Sequence, residues 1–180
     1  MIGTPAQESA PVTRPIGSST VTAADPALQV RPFSSDIDLE TAATMMAASD
    51  PWLRLGMTHE ACRRALSHPE REAWGAWLGG HLAGFLVLSF KGALVGYVQL
   101  LGVAPQARGR GVGAALLAHA EACIFDRTRN VFLCVSSFNE GAKRFYARQG
   151  YETVGRLPDH LLAGHDELIL RKTRGPLLSP

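Results

Sequence analysis

The sequence predicts a mixed α/β (α+β) domain, a central and mostly antiparallel sheet flanked by helices. Three observations carry this. Apolar runs at residues 72–78, 81–90 and 93–103 follow one another closely, joined by Gly79-Gly80 and by Lys91-Gly92. Connections that short make neighbouring strands antiparallel. A polar, glycine-rich loop then leads into residues 111–125, where Val112, Leu116, Leu117, Ala120 and Ile124 recur at helical spacing. The fully apolar run 131–135 precedes a second helical segment, which is the order of a βαβ unit.

Taken in order, residues 1–27 are rich in Pro, Ser, Thr and Ala and have no apolar periodicity. Such a segment buries too little surface to offset its ordering entropy, so a disordered tail is expected there. One domain is expected over 28–175, with a short tail over 176–180. Leu28–Pro32 reads as a first strand, Pro32 suiting a strand end. Ser35 suits an N-cap, and residues 36–48 place Ile37, Leu39, Met45 and Met46 on a helical pattern that Asp50-Pro51 breaks. Thr58 caps a second helix over 59–66, stopped by Ser67-His68-Pro69. After the meander and the long helix, residues 139–149 read as a helix closed by Gly150. Residues 151–157 and 167–171 are the last strands, with a polar loop expected over 158–166.

Composition bounds the function. The chain has 180 residues, 46% hydrophobic and 19% charged, which suits one soluble globular domain. A formal net charge of +2 gives no argument for nucleic acid. The longest apolar stretch is far too short to span a bilayer, and the N-terminus lacks a basic region followed by an apolar core. Cys62, Cys123 and Cys134 have no metal-ligand or redox-motif spacing, so reduced thiols and no metal site are expected, in the cytoplasm.

The chemistry concentrates where the third run ends. After Val103-Ala104-Pro105 come Arg108-Gly109-Arg110-Gly111-Val112-Gly113 and then a helix. Glycines let backbone N–H groups approach an anion, and the helix start adds unpaired N–H groups and a positive dipole end. Arg108 and Arg110 add charge. A glycine turn with two solvated arginines is the plainer alternative, and the strand before and helix after favour the oligophosphate. The spacing is not that of a P-loop, since Ala114-Ala115 follow Gly113, nor that of a dinucleotide fingerprint.

Arg108-x-x-Gly111-x-Gly113 is similar to the Q/R-x-x-G-x-G/A signature of the GCN5-related N-acetyltransferase (GNAT) superfamily, and Val98-Gln-Leu-Leu-Gly-Val103 before it matches the family's context. A second block, from Asn139 through Ala142, Phe145 and Tyr146 to Gly150-Tyr151, resembles the family's N-x-x-A-x-x-F-Y-x-x-x-G-F/Y pattern. The resemblance implies a sheet split in a V between the strand ending at Val103 and the strand 131–135, with acetyl-CoA in the gap. It implies that Leu101, Gly102 and Val103 hold the pantetheine and acetyl carbonyl. Backbone N–H groups across Arg108, Gly109, Arg110, Gly111, Val112 and Gly113 would hold the pyrophosphate, and Asn139 the pantetheine arm. Tyr146 would stand beside the sulfur as the acid for the leaving thiolate.

Many members place a Glu on the strand before the loop; this chain has Gln99, which takes no proton. Glu167, Asp166, His165, His81, Asp50 or a water relay are the other candidates for the base. His119 reads as a solvated residue of the long helix. Trp52 and Glu167 are candidate acceptor-site residues. The expected function is acetyl transfer from acetyl-CoA to a primary amine, of a small molecule or a peptide, by direct attack in a ternary complex. A non-catalytic acyl-CoA-binding module is the alternative. The partners this reading admits are the amine and a second copy of the chain, not nucleic acid or membrane.

Overall fold

The computed structural model describes residues 28–178; the expected tail over 1–27 lies outside them. Seven strands and four helices follow in the order β1 (Leu28–Pro32), α1 (Asp36–Ala47), α2 (His59–Leu66), β2 (Arg71–Leu78), β3 (His81–Ser89), β4 (Tyr97–Val103), α3 (Val112–Phe125), β5 (Asn130–Ser136), α4 (Glu140–Arg148), β6 (Glu152–Leu162) and β7 (His165–Thr173). The strands form one sheet in the order β1-β2-β3-β4-β5-β7-β6. All neighbours are antiparallel except β4 and β5. No helix among the described residues is long and apolar enough to cross a membrane.

Three of the helices are capped by side chains, Ser35 and Thr58 as the sequence suggests and Asn139 one residue before α4. Ser35 Oγ accepts from Asp38 N at 3.2 Å, Thr58 Oγ1 from Ala61 N at 3.2 Å, and Asn139 Oδ1 from Ala142 N at 3.1 Å. Each such cap contributes about 1 kcal/mol. The sheet is the middle of three layers, because β3 is apolar on both faces. Phe85 and Val87 pack against Ala42, Ala43 and Met46 of α1 and Cys62 and Leu66 of α2. Leu86 and Leu88 pack on the opposite side with Leu116, Leu117, Ala120 and Ile124 of α3. Full burial of each large side chain contributes roughly 1.5–3 kcal/mol.

Two sequence expectations are corrected. β4 begins at Tyr97 rather than at residue 93, because Gly92 and Gly96 take φ of 101° and 84° and bend the chain before it. Residues 158–166 are not a loop: β6 runs on to Leu162, and Ala163-Gly164 turn it into β7. β6 is an edge strand, exposed along most of its length, so it needs no apolar alternation and tolerates Pro158. A register shift between Leu157 and Leu162 absorbs the residues around Asp159, whose φ is 50° and whose Oδ1 accepts from Gly164 N at 2.6 Å.

Gly102 on β4 is closely enclosed: a Cβ there would lie 2.3 Å from Cζ of Phe85, which is fully buried. Gly102→Ala is expected to lower unfolding stability by about 1–3 kcal/mol in urea titration, as an overpacked core does.

Candidate active site

The site begins with a mismatch between two strands. Leu88 pairs with Val98 and Val87 with Leu100, so Gln99 is left over as a one-residue bulge in β4. A bulge bends its strand and increases the local twist. The parallel pairing of β4 with β5 is confined to Tyr97↔Phe132 and Val98↔Leu133, and it stops at that bulge. Beyond it β4 follows β3 to Val103. The sheet therefore opens as a V, and the edge of β4 that faces the opening has no strand partner for its N–H and C=O groups among the described residues.

A cleft of 520 Å³ occupies one side of the opening. Its walls include Leu101, Gly102 and Val103 of β4, the loop residues Arg108, Gly109 and Gly111, the first turn of α3, and Asn139, Phe145, Tyr146 and Arg148. Gly109 and Gly111 take φ of 76° and 81°, the left-handed region. A Cβ at either would meet nothing within 4 Å, so backbone conformation, not crowding, calls for glycine there. Gly111 is the N-cap of α3 and offers no capping side chain. The first intrahelical bond runs from Ala115 N to Gly111 O at 2.9 Å. The N–H groups of Val112, Gly113 and Ala114 thus precede any helical partner and stand at the positive end of the helix dipole, in the cleft wall. With Arg108 and Arg148 in the lining of the same cleft, this donor set fits a diphosphate, and the mainly apolar remainder fits a slender chain.

A second cleft of 280 Å³ lies toward α2, lined by Tyr97, Gln99, Cys134, Ser136, Glu167, Arg71 and the apolar Leu55, Met57 and Ala65. The two clefts share Pro51, Trp52, Leu101, Asn139, Ala142 and Tyr146. Tyr146 is 7% exposed. Burial raises its phenol far above the usual range and keeps it protonated. Its ring meets those of Phe145 and Tyr151 edge-on at 5.1 and 5.7 Å. Trp52 rests on Phe85 with ring centroids 5.3 Å apart.

Most of the residues singled out in the sequence come together. Leu101, Gly102, Val103, Arg108, Gly109, Gly111, Val112, Gly113, Asn139, Tyr146 and Trp52 line the larger cleft, whereas Glu167 lines the smaller one and Arg110 neither. Asn139 also caps α4, so its Oδ1 is engaged by Ala142 N. Gln99 is the bulge. Asp166 pairs with Arg156, and the His165 ring meets Phe138 edge-on at 5.0 Å. His119 is not a solvated residue: it is half-buried 4.1 Å from the Trp74 ring, with Nε2 3.5 Å from Cys123 Sγ, and burial lowers its pKa. Sequence reasoning missed Tyr97, Cys134, Ser136 and Arg148. Cys134 and Ser136 stand two residues apart on either side of Val135 in an apolar run, a spacing that puts both on one face of a strand.

Comparison with known proteins agrees with this geometry. Residues 37–151 match the family model described as Acetyltransferase (GNAT) family. The chain is 31% identical over 140 residues, 76% of its own length and 84% of the relative's, to the N-alpha-acetyltransferase RimI of Mycobacterium tuberculosis. It is 41% identical over 80 residues, 38% of its length and 56% of the relative's, to the blasticidin-S acetyltransferase of Streptomyces morookaense. The fold is similar to that of an aminoglycoside 6'-N-acetyltransferase complexed with coenzyme A, at a TM-score of 0.69 and 16% identity, with 84% of this chain and 99% of that chain covered.

Two predictions follow from the geometry. A Cβ on Gly113 would lie at ordinary contact distance, 3.5 Å from Val103 Cγ2 and 3.6 Å from Phe145 Cζ, on the cleft wall. Gly113→Leu is expected to weaken coenzyme A binding about tenfold or more in calorimetry while shifting Tm by only a few degrees. Burial is the largest cause raising the pKa values of Tyr97, Tyr146 and Tyr151. Above about pH 10 the unfolded chain therefore holds fewer protons than the folded one, and stability, complete below that pH, is expected to fall as pH rises. Urea titrations from neutral to alkaline pH check this.

Proposed function

The chain belongs to the GNAT acetyltransferase family, and on that premise we propose that it transfers acetyl from acetyl-CoA to a primary amine by direct attack in a ternary complex. Acetyl-CoA is the family's cosubstrate and supplies the acetyl group activated as a thioester. One observation carries the ternary reading. The two clefts have mostly different linings and share a wall that includes Leu101 and Tyr146. Two substrates bound in the two clefts would therefore meet at that wall.

Each residue then has a role that its surroundings support. The N–H groups of Val112, Gly113 and Ala114, with Arg108 and Arg148, hold the diphosphate. Unpartnered N–H groups on the free edge of β4 stabilise negative charge developing on the acyl oxygen. Tyr146, a phenol that is protonated at neutral pH, donates to the leaving sulfur. Glu167 is 5% exposed and is the carboxylate in the described lining of the smaller cleft. It holds the acceptor's ammonium and takes its proton, the task that Gln99 cannot perform. Tyr97 and Cys134 flank the amine's path. The likeness to an N-alpha-acetyltransferase over most of both chains favours the α-amino group of a polypeptide over other primary amines.

Thiol release measured with acetyl-CoA and a panel of peptides and small amines is expected to give intersecting initial-rate patterns. Parallel patterns would contradict direct attack, and the absence of turnover with every amine would overturn the reading. Tyr146→Phe is expected to lower kcat on the order of a hundredfold with coenzyme A affinity within about twofold. Glu167→Gln is expected to lower kcat/KM by about tenfold or more at neutral pH and to recover as pH rises, because the acceptor then loses its proton to solvent.

A further inference from the structure

The charges of the smaller cleft describe its acceptor more closely, an inference that rests on the acetyl-transfer reading. Two charged side chains stand in the described lining, Glu167 of β7 and Arg71, the first residue of β2. Strand register puts both on one face of the sheet. Arg71 is opposite Ser89, Ser89 opposite Tyr97, and Tyr97 beside Phe132. Cys134 and Ser136 follow Phe132 at two-residue steps, and Ser136 is opposite Glu167. Tyr97, Cys134 and Ser136 thus form a floor running between the two charges.

The guanidinium of Arg71 enters no ion pair, hydrogen bond or ring stack among the described residues. Its acidic sequence neighbours are engaged elsewhere: Glu70 with Lys91 at 2.5 Å, and Glu72 with Arg127 at 2.6 Å. Arg71 is only partly exposed. A planar cation held against a groove wall without a partner suits a carboxylate, which it can engage with two parallel hydrogen bonds.

Spacing selects the kind of molecule. Four strand-to-strand steps and four residues along the strands separate Arg71 from Glu167, on the order of 20 Å between Cα positions. The two side chains reach inward and leave on the order of 10 Å to be bridged, about three extended residues and more than one amino acid spans. We propose that this cleft takes an extended polypeptide N-terminus, its α-amine between Glu167 and Tyr146 and an Asp or Glu side chain at the third or fourth position on Arg71.

The test uses the full chain, acetyl-CoA and short peptides that share one N-terminal residue, with a single Asp walked along an otherwise uncharged sequence. Asp at the third or fourth position is expected to raise kcat/KM about tenfold over the uncharged peptide, mainly through KM. Arg71→Ala is expected to remove that preference, Arg71→Lys to keep part of it, and Arg71→Glu to transfer it to a peptide with Lys at the same position. A preference that is flat along the peptide, or that survives Arg71→Ala, would overturn the proposal. Turnover of small amines with none of the peptides would overturn it while leaving acetyl transfer intact. No turnover with either would remove both.

Discussion

One surplus residue governs the active-site region. Gln99 has no counterpart on β3, so β4 must bulge there, and its pairing with β5 ends at the preceding residue. Without that interruption β4 and β5 could pair along their length as an ordinary parallel ladder, and the backbone groups after the bulge would be spent on each other. With it, the polar edge of β4 is left for a ligand and Tyr146 is left at the junction of two clefts. The bulge is tolerated because β3 stays paired with β4 on both sides of it and is itself buried between two helical layers.

Around that opening the fold divides recognition between different physical agents. In the proposed reading, backbone N–H groups and a helix dipole at the α3 end would meet an anion at a fixed place with no side-chain entropy to lose. At the proposed acceptor end the cleft offers side chains instead: Glu167, Arg71 and the polar stripe of Tyr97, Cys134 and Ser136. A backbone-built site depends little on residue identity apart from its glycines, whereas the acceptor cleft can change specificity by substitution at a few strand positions. Binding energy gathered at the distant diphosphate can be used to hold the reacting end beside Tyr146.

What the sequence discloses follows the same division. The loop from Arg108 to Gly113 is legible because its chemistry is local: two glycines need positive φ, and a helix must start after them. Asn139 is legible as the start of α4, although its capping bond to Ala142 appears only in the structure. Gln99 is visible in the sequence as a missing carboxylate, yet its role as a bulge is a relation between two strands that neither strand reveals alone. Residues 158–166 read as a loop because an edge strand needs no apolar face. Glu167 looks like a surface acid until pairing with Ser136 buries it, and Arg71 reaches the acceptor cleft only through a register that spans four strands.

The most direct measurement is a crystal structure of the chain with coenzyme A. The account predicts the diphosphate on the N–H groups of Val112, Gly113 and Ala114, and the thiol emerging between Leu101 and Tyr146 inside the V. A coenzyme bound outside the V, or a β4 that zips onto β5 past Gln99, would contradict it.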